Sequence, residues 1–271
     1  MNSIDLYLKE DLAEEGDITS NALFTNETVK AKIICKEECT IAGIDDLEIV
    51  FKKAGAKTKK LVKDGDGIKT GTVVAEIKGS ARSILKAERL ALNILGRMSG
   101  IASETKKLVN ICREINSDCT VAATRKTTPG FRKYEKKAVE IGGGEPHRFG
   151  LYDAAMIKDN HIKIVGSVEK ALKIAKQKIK NKIIEIEVEK EKDALTAARF
   201  DVDAIMLDNF KPGNAKLVTK KIKQINPNII VEISGGITPD NIKDYVSFAD
   251  RISLGYLTHS IKNKDFSLEI I

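Results

Sequence analysis

The sequence predicts an α/β protein whose larger part is an incomplete parallel α/β barrel of about six units. Short apolar runs alternate with helical patterns and follow one another at intervals of roughly 20 to 35 residues, the length of a βα unit. A complete eight-unit barrel needs about 250 residues, and this repeat begins only after Gly100. Strands are predicted to begin near Cys119, Ala154, Ile183, Ala204, Ile229 and Arg251, and helices to cover 167–180, 190–200, 213–225 and 239–247.

The chain before this repeat mixes helices with strands. Period-two alternation of apolar residues predicts a strand over Thr28–Cys35. After Ser80 the pattern becomes that of an amphipathic helix to about Asn93, and Gly96 and Gly100 are expected to break it because glycine disfavours helix interiors. The remaining predicted elements are a helix over 5–15 that ends at Gly16 and a strand over 73–77.

Composition narrows the classes of partner. The formal net charge is +7, from 46 basic and 39 acidic side chains, and aromatic residues make up only 5% with no Trp. A small anionic substrate fits this balance better than nucleic acid, because base-stacking platforms need aromatic side chains. No apolar run approaches the ~18 residues of a membrane span, and the acidic N-terminus is unlike a signal peptide. We therefore expect a cytoplasmic protein without membrane or nucleic-acid partners.

The cysteines show no metal-ligand spacing. Cys35 and Cys39 are separated by three residues, which is wrong for a zinc knuckle, and the three histidines lie far from them in sequence. The same holds for Cys112 and Cys119. All four are expected to be reduced, structural thiols.

A dense run of cations and glycines lies between Ala123 and His161. Arg125 and Lys126 follow a strand-like run and precede Pro129, so they lie at a strand-to-loop junction, where α/β proteins place their chemistry. Cations beside glycine-rich backbone suit a polyanionic small molecule. The next four cations are expected to form a solvated helix face: Arg132, Lys133, Lys136 and Lys137.

The three glycines Gly142–Gly144 lack the GxxxxGK[ST] pattern of a P-loop. We expect them to supply flexible backbone beside His147 and Arg148 instead. His161 and His259 could be ligands, although structural hydrogen bonding is the favoured role.

The strand around Glu187 is unusual. Alternation places Glu185, Glu187 and Glu189 on one face, whereas a strand buried on both sides should be apolar throughout. Buried carboxylates need cationic side chains or Mg²⁺ as partners; the alternative is an exposed edge strand. Asp208 ends the next strand in the same position. The sequence therefore predicts a mixed-charge pocket at the barrel mouth, whose cations are Arg125, Lys126, His147, Arg148 and Lys158.

Glycines end the last two predicted strands, at Ser234-Gly235-Gly236 and Leu254-Gly255. Bare backbone N–H groups at such positions bind anions, as in the late-strand phosphate sites of barrels, although glycine pairs are also common in simple turns. Repetition at two adjacent strand ends favours a phosphate site.

The chain resembles the quinolinate phosphoribosyltransferase family over nearly its whole length. The ordered motifs that carry the resemblance are EDLAEEGDITS, ERLALNILGRMSGIAS, TRKTTPG, GGG followed by HR, LYDAAMIKDNHI, EIEVE, IMLDNF, ISGGI and LGYLTHS. The resemblance implies an N-terminal α/β-sandwich domain over 1–102, a short α/β barrel over 103–260, and a tail, 261–271, that returns to the first domain. It also implies transfer of phosphoribosyl from phosphoribosyl pyrophosphate to quinolinate with decarboxylation, giving nicotinate mononucleotide in NAD biosynthesis.

The resemblance also assigns residues. Lys126, Glu187 and Asp208 would be catalytic, and the two carboxylates would hold Mg²⁺ with the pyrophosphate. Arg89 would reach the site of a neighbouring subunit in a homodimer or a hexamer of dimers. The implied substrate-binding residues are Arg89, Thr124, Arg125, Lys126, His147, Arg148, Lys158, Glu187, Asp208, Ser234, Gly235, Gly236, Leu254, Gly255 and Tyr256.

One position departs from the family pattern. Pro146 stands before His147 where the family usually has Asn, and proline removes a backbone donor and stiffens the loop. A Pro-His-Arg variant also resembles paralogous transferase-like proteins of molybdate-transport operons, which would act on another acceptor. A non-catalytic anion-binding protein is the third alternative, against which the retained charges on the strand ends argue.

Overall fold

A computed structural model describes residues 3–271. The helices are α1 Ser3–Leu12, α2 Ile18–Leu23, α3 Ile44–Ala54, α4 Ala81–Ile115, α5 Arg132–Ile141, α6 Asp159–Val165, α7 Val168–Lys178, α8 Glu191–Ala198, α9 Pro212–Ile225, α10 Lys243–Val246 and α11 Tyr256–His259. The strands are β1 Thr28–Cys35, β2 Cys39–Thr40, β3 Lys57–Lys60, β4 Gly67–Ile68, β5 Val73–Ser80, β6 Thr120–Ala122, β7 Ala155–Ile157, β8 Ile184–Val188, β9 Ala204–Asp208, β10 Ile230–Ser234, β11 Arg251–Ser253 and β12 Phe266–Ile270.

The chain forms two compact units. The first comprises the chain up to Lys106 together with Thr128–Gly143 and Ile261–Ile271, and the second comprises Lys107–Thr127 and Gly144–Ser260. The expected boundary after residue 102 therefore falls within α4, and Thr128–Gly143 groups with the first unit rather than with the barrel segment. No helix in residues 3–271 combines the length and apolarity needed to cross a membrane.

The first unit contains an antiparallel sheet of order β12-β1-β5-β3 and a short β2-β4 pair. β1 has the alternating burial expected from its sequence, with Ala31, Ile33 and Cys35 fully buried. The C-terminal strand β12 covers the other edge of β1, pairing Ala31 with Ile270 and Cys35 with Phe266. The last strand of the chain thus completes the sheet begun by the first.

The second unit contains six parallel strands in the order β6-β11-β10-β9-β8-β7. All six begin within one residue of their predicted starts. β6 and β7 are the two ends of the sheet, and β6 is extended on its open side by a parallel bridge from Ala122 to Glu145. The predicted α/β class is confirmed; closure of the sheet into a barrel stays a prediction.

Helix α4 corrects one expectation. It runs unbroken for 35 residues through Gly96 and Gly100. A side-chain carbon on Gly96 would lie 2.5 Å from the carbonyl oxygen of Lys264, and one on Gly100 would lie 2.4 Å from that of Lys262. The glycines therefore allow the C-terminal segment to lie directly against the helix, a reason that local helix propensity cannot reveal.

Three smaller expectations also differ. Lys136 is fully buried, and Lys137 bonds to Asp46 at 2.7 Å, so the cations of α5 do not form a uniformly solvated face. Helix α1 ends at Leu12 rather than at Glu15, followed by Ala13 in the left-handed conformation (φ 45°). The helix expected over 239–247 is reduced to α10. Ser167, by contrast, caps α7 through a bond from the Lys170 N–H.

The four cysteines, Cys35, Cys39, Cys112 and Cys119, are free thiols and buried. Cys35 and Cys39 have their sulfur atoms 3.8 Å apart. Burial raises the pKa of Cys39 to about 12, so this thiol stays protonated at neutral pH.

We predict that Gly100→Ala lowers the free energy of unfolding by about 1–3 kcal/mol, because the added methyl group must displace the backbone at Lys262. Gly213→Ala in α9 is the matched control, since no atom lies within 4 Å of its added carbon. It should stabilise the protein or leave it unchanged, because alanine is the better helix former. Urea denaturation compares the two, and equal stability of Gly100→Ala and the parent would show that the tail contact is not tight.

Candidate active site

A cavity of about 370 Å³ lies at the carboxyl ends of the parallel strands. Asp208, Ser234 and Ser253 end β9, β10 and β11, and Lys158 follows β7, so adjacent strands deliver these side chains to one place. The lining residues that the sequence predicted are Thr124, Arg125, Lys126, His147, Arg148, Lys158, Glu187, Asp208 and Ser234. The others are Ala123, Met156, Met206, Glu232 and Ser253.

Two arginines of the cavity have no carboxylate hydrogen-bond partner among residues 3–271. The buried Arg148 guanidinium donates to the Ala154 carbonyl oxygen at 3.1 Å and to the Met156 sulfur at 3.2 Å. Burial and the neighbouring Arg125 lower the pKa of Arg148. The Arg125 Nε is buried and has no hydrogen-bond partner in residues 3–271. Two such guanidinium groups are arranged to receive an anion.

Lys158, Glu187 and Asp208 form a second charged group in the cavity lining. The Lys158 ammonium donates a short hydrogen bond to the Glu187 carboxylate. Burial, followed by the carboxylates of Glu187 and Glu189, raises the pKa of Asp208. The Asn209 amide donates to the Asp208 carboxylate at 2.6 Å. This excess of negative charge fits Mg²⁺, which proteins typically hold through one or two carboxylates together with substrate phosphates.

A buried cluster of charged residues contributes His147 and Glu232 to the cavity lining. The His147 Nε2 lies 3.3 Å from Glu185 and 3.2 Å from Glu232, whose side chains are 2% and 0% exposed. Arg251 donates to Glu232 at 3.1 Å and to Glu145 at 2.8 Å. A guanidinium group and an imidazole therefore compensate the buried carboxylate of Glu232, as burial of an ionised group requires.

The protonation of His147 reflects opposing influences. Burial lowers the pKa of His147, but hydrogen bonds to Glu185 and Glu232 outweigh it and raise the pKa to about 9. The Nδ1 atom accepts a hydrogen bond from the Arg148 N–H at 2.8 Å, which is possible only while Nδ1 carries no proton. Charging of the ring therefore sacrifices this backbone bond. Burial and the neighbouring Glu232 raise the pKa of Glu185, which favours keeping a proton within the cluster.

The acidic strand corrects another expectation. Glu185 and Glu187 face inward, but Glu189 lies beyond the end of β8 and is exposed. Glu232 and Arg251 were not predicted as site residues. The signal was present in the sequence, since Glu232 interrupts the apolar strand β10 as Glu185 interrupts β8. Register places Glu232 directly beside Arg251 on β11.

The predicted phosphate loops lie outside the residues that line the cavity, except for Ser234. Gly235 and Gly236 have φ of 86° and 61°, and a side-chain carbon on Gly235 would lie 2.3 Å from the Asn209 amide oxygen. A carbon on Gly255 would lie 2.9 Å from the Lys126 side chain. These glycines therefore permit close packing of the loops, and phosphate binding by Gly235, Gly236, Leu254, Gly255 and Tyr256 stays a prediction.

The remaining predicted residues lie elsewhere. His161 accepts a bond from the Lys158 N–H at 2.9 Å, and His259 lies 2.6 Å from the Ser260 hydroxyl, so both make structural hydrogen bonds. Arg89 is exposed on α4 and lines a different cavity of about 680 Å³ within the first unit, together with Tyr7 and Asn93.

Comparison with known proteins gives a consistent result. The quinolinate phosphoribosyl transferase N-terminal domain matches residues 17–99 and the C-terminal domain matches residues 101–269. A probable nicotinate-nucleotide pyrophosphorylase [carboxylating] of Archaeoglobus fulgidus is 45% identical over 259 residues, covering 94% of this chain and 98% of the relative. A relative of the same name from Methanocaldococcus jannaschii is 45% identical over 264 residues, covering 94% and 92%.

A solved structure agrees with the sequence relatives. The nicotinate-nucleotide pyrophosphorylase from Francisella tularensis has a TM-score of 0.91 at 35% identity, covering 99% of this chain and 94% of that one. Domain matches, sequence relatives and fold all extend over nearly the full chain. The chain belongs to the quinolinate phosphoribosyl transferase family.

Proposed function

We propose that this chain transfers the phosphoribosyl group of phosphoribosyl pyrophosphate to quinolinate and releases CO₂, giving nicotinate mononucleotide and pyrophosphate. The observation that carries the proposal is the charge of the cavity lining: among residues 3–271 Arg125 and Arg148 have no carboxylate hydrogen-bond partner, and the carboxylates of Glu187 and Asp208 line the same cavity. The full-length relatives, which are named for nicotinate-nucleotide pyrophosphorylase activity, support the same reaction.

The guanidinium groups of Arg125 and Arg148 suit the acceptor. Quinolinate carries two carboxylates on a planar ring, and guanidinium groups bind carboxylates through paired, directed hydrogen bonds. Arg125 and Arg148 would hold these carboxylates and orient the ring nitrogen towards C1 of the ribose. Positioning of this kind converts an encounter of two substrates into a step within one complex, which is a major source of rate acceleration.

The carboxylates of Glu187 and Asp208 suit the phosphoribosyl donor. Glu187 and Asp208 would accept from the ribose hydroxyls and hold Mg²⁺, which when bound neutralises the departing pyrophosphate. Lys158 already bonds to Glu187 and so fixes the orientation of that carboxylate. Lys126 is exposed at the cavity rim, where its charge can reach a phosphate group. A nucleophilic side chain is not required, because the pyridine nitrogen attacks C1 directly.

Decarboxylation completes the proposed reaction. The bond between C2 and its carboxylate breaks after the ring nitrogen has gained the ribose, and the electron pair passes to C2 of the now cationic ring. A proton then adds at C2, and CO₂ leaves. The protein's contribution to this step is electrostatic, because Arg125 and Arg148 are in place to bind the anionic acceptor before the reaction begins.

The test is incubation of the pure protein with quinolinate, phosphoribosyl pyrophosphate and Mg²⁺. Nicotinate mononucleotide and CO₂ should form in equal amounts. In Arg148→Met the KM for quinolinate should rise about 100-fold, since a directed charge partner of the acceptor is lost.

Arg199→Met is the matched control, because Arg199 is exposed at the end of α8, away from the cavity lining. It should behave as the parent does. Absence of product from the folded parent protein with quinolinate would overturn the proposal and favour a paralogue with another acceptor, for which Pro146 is the sequence argument.

Asp208→Asn should reduce kcat at least about 100-fold through loss of ribose and Mg²⁺ contacts. Its melting temperature should stay the same or rise, because the raised pKa of Asp208 shows that the ionised form is disfavoured in the folded state. Glu191→Gln, which removes a surface ion pair with Lys221, is the control and should keep its activity. Loss of many degrees in Asp208→Asn with activity retained would assign this carboxylate a structural role.

We further propose that Arg89 completes the site of a neighbouring subunit in a homo-oligomer. Its exposure on α4 leaves the guanidinium available to a second copy, and symmetric dimers are the commonest assembly. Two inactive variants, Arg89→Ala and Lys158→Ala, should regain activity when mixed and allowed to exchange subunits, because some sites in a mixed dimer then contain both residues. Subunit exchange verified by mass spectrometry without recovered activity would contradict the shared site.

A further inference from the structure

His147 occupies an unusual backbone position. Its φ is 53°, in the left-handed region that residues with side chains rarely adopt because it is strained. Both ring nitrogens bond within the protein, Nδ1 to the Arg148 N–H and Nε2 to Glu185 and Glu232. A strained residue persists only where its surroundings determine its conformation, so the contacts of this ring must hold it in place.

Glu232 and Arg251 link the ring to the loop that carries it. Glu232 is fully buried, directly opposite Arg251 in the parallel β10-β11 pair, and its Oε2 receives both the Arg251 guanidinium and the His147 ring. The same guanidinium donates through Nε to the Glu145 carboxylate. Arg251 therefore bridges two acids that lie on different segments of the second unit.

These contacts close a ring of interactions. Glu145, Pro146 and His147 are consecutive, Arg251 holds the Glu145 side chain, and Glu232 holds both Arg251 and His147. The backbone of Glu145 is also fixed to β6, because its N–H donates to the Val121 carbonyl oxygen at 2.8 Å and its carbonyl accepts from Ala123 at 2.9 Å. Pro146 lies between Glu145 and His147, and its pyrrolidine ring restricts the backbone φ at this position.

We propose that Glu232 and Arg251 are positioning residues that hold the His147 ring at the cavity wall and thereby position Arg148, whose guanidinium group helps to recognise the carboxylates of the pyridine acceptor. The inference rests on the proposed function for the identity of the acceptor. Neither Glu232 nor Arg251 needs to contact the acceptor, since their effect passes through the orientation of His147 and of Arg148, which donates to it. The Glu145 carboxylate has the same positioning role, because it accepts a hydrogen bond from the Nε of Arg251.

The proposal is tested first on the protein without substrates. The chain has three histidines, so the His147 imidazole signals in NMR spectra can be assigned with the variants His161→Gln and His259→Gln. In Arg251→Met and in Glu145→Gln these signals should shift or broaden as the ring loses its fixed position. Lys223→Met, which removes an ion pair with Asp250 next to β11, is the control and should reproduce the parent spectrum.

Steady-state kinetics gives the second readout. The KM for quinolinate should rise at least about 10-fold in Arg251→Met, while the KM for phosphoribosyl pyrophosphate stays within about 2-fold, because only the acceptor subsite is disturbed. Arg251→Lys should give an intermediate value, since lysine keeps the charge but not the fork that reaches two carboxylates. Glu145→Gln lies at the periphery of the cluster and serves if Arg251→Met fails to fold.

Two results would overturn the positioning role. One is an unchanged His147 spectrum in the folded Arg251 and Glu145 variants. The other is an equal rise in both KM values, or a fall in kcat alone, which would indicate general damage to the sheet. If the parent protein makes no nicotinate mononucleotide while the Arg251 and Glu145 variants show the expected spectral changes, the proposed reaction is contradicted and the positioning of His147 still holds.

Discussion

An ionised carboxylate with no exposed surface must be paired, because its removal from water costs several kcal/mol that only close cations and hydrogen bonds can offset. Removal of one partner of such a buried pair costs about 3–5 kcal/mol of stability. Glu232 in the middle of β10 is such a group. Its partners come from β11 and from the loop after α5, so its burial fixes strand register and loop conformation together. The conformation of His147, and through it the arginine that follows, depends on this requirement.

The parallel sheet brings the charged residues of the site together at one edge. Because every strand runs in the same direction, the carboxyl ends of β7 to β11 lie at one edge, and residues distant in sequence are brought together there. Lys158 meets Glu187 across β7 and β8, while Asp208 ends the adjacent strand. Arg148, by contrast, comes from the loop before β7, so its position depends on the conformation of that loop.

Regular features of the fold could be predicted from the sequence, because they depend on local patterns. The starts of the six parallel strands and the cap at Ser167 are examples. The role of Gly96 and Gly100 inside the unbroken helix α4 could not, since these glycines make room for backbone more than 150 positions away. Burial of Lys136 in α5 is likewise a property of tertiary packing.

The candidate site divides in the same way. The charged residues of the pocket were recognisable at predicted strand ends and in the loop between them, and the family resemblance added their roles towards the substrates. Glu232 and Arg251 were not predicted as site residues, because an acid in one strand and a base in the next can be paired only when the register of the two strands is known. Glu189 was placed wrongly because alternation continues in the sequence after the strand itself has ended at Val188.

The pairing of β12 with β1 has a consequence for folding during synthesis. Every residue of the second unit leaves the ribosome before Phe266–Ile270 can pair with Thr28–Cys35. Until then β1 presents an unpaired edge, and such edges invite association with other chains. The Ile271 N–H also donates to the Lys30 carbonyl oxygen at 2.9 Å, which adds to the pairing at this edge. Without β12, β1 would keep an open edge that can pair with another chain.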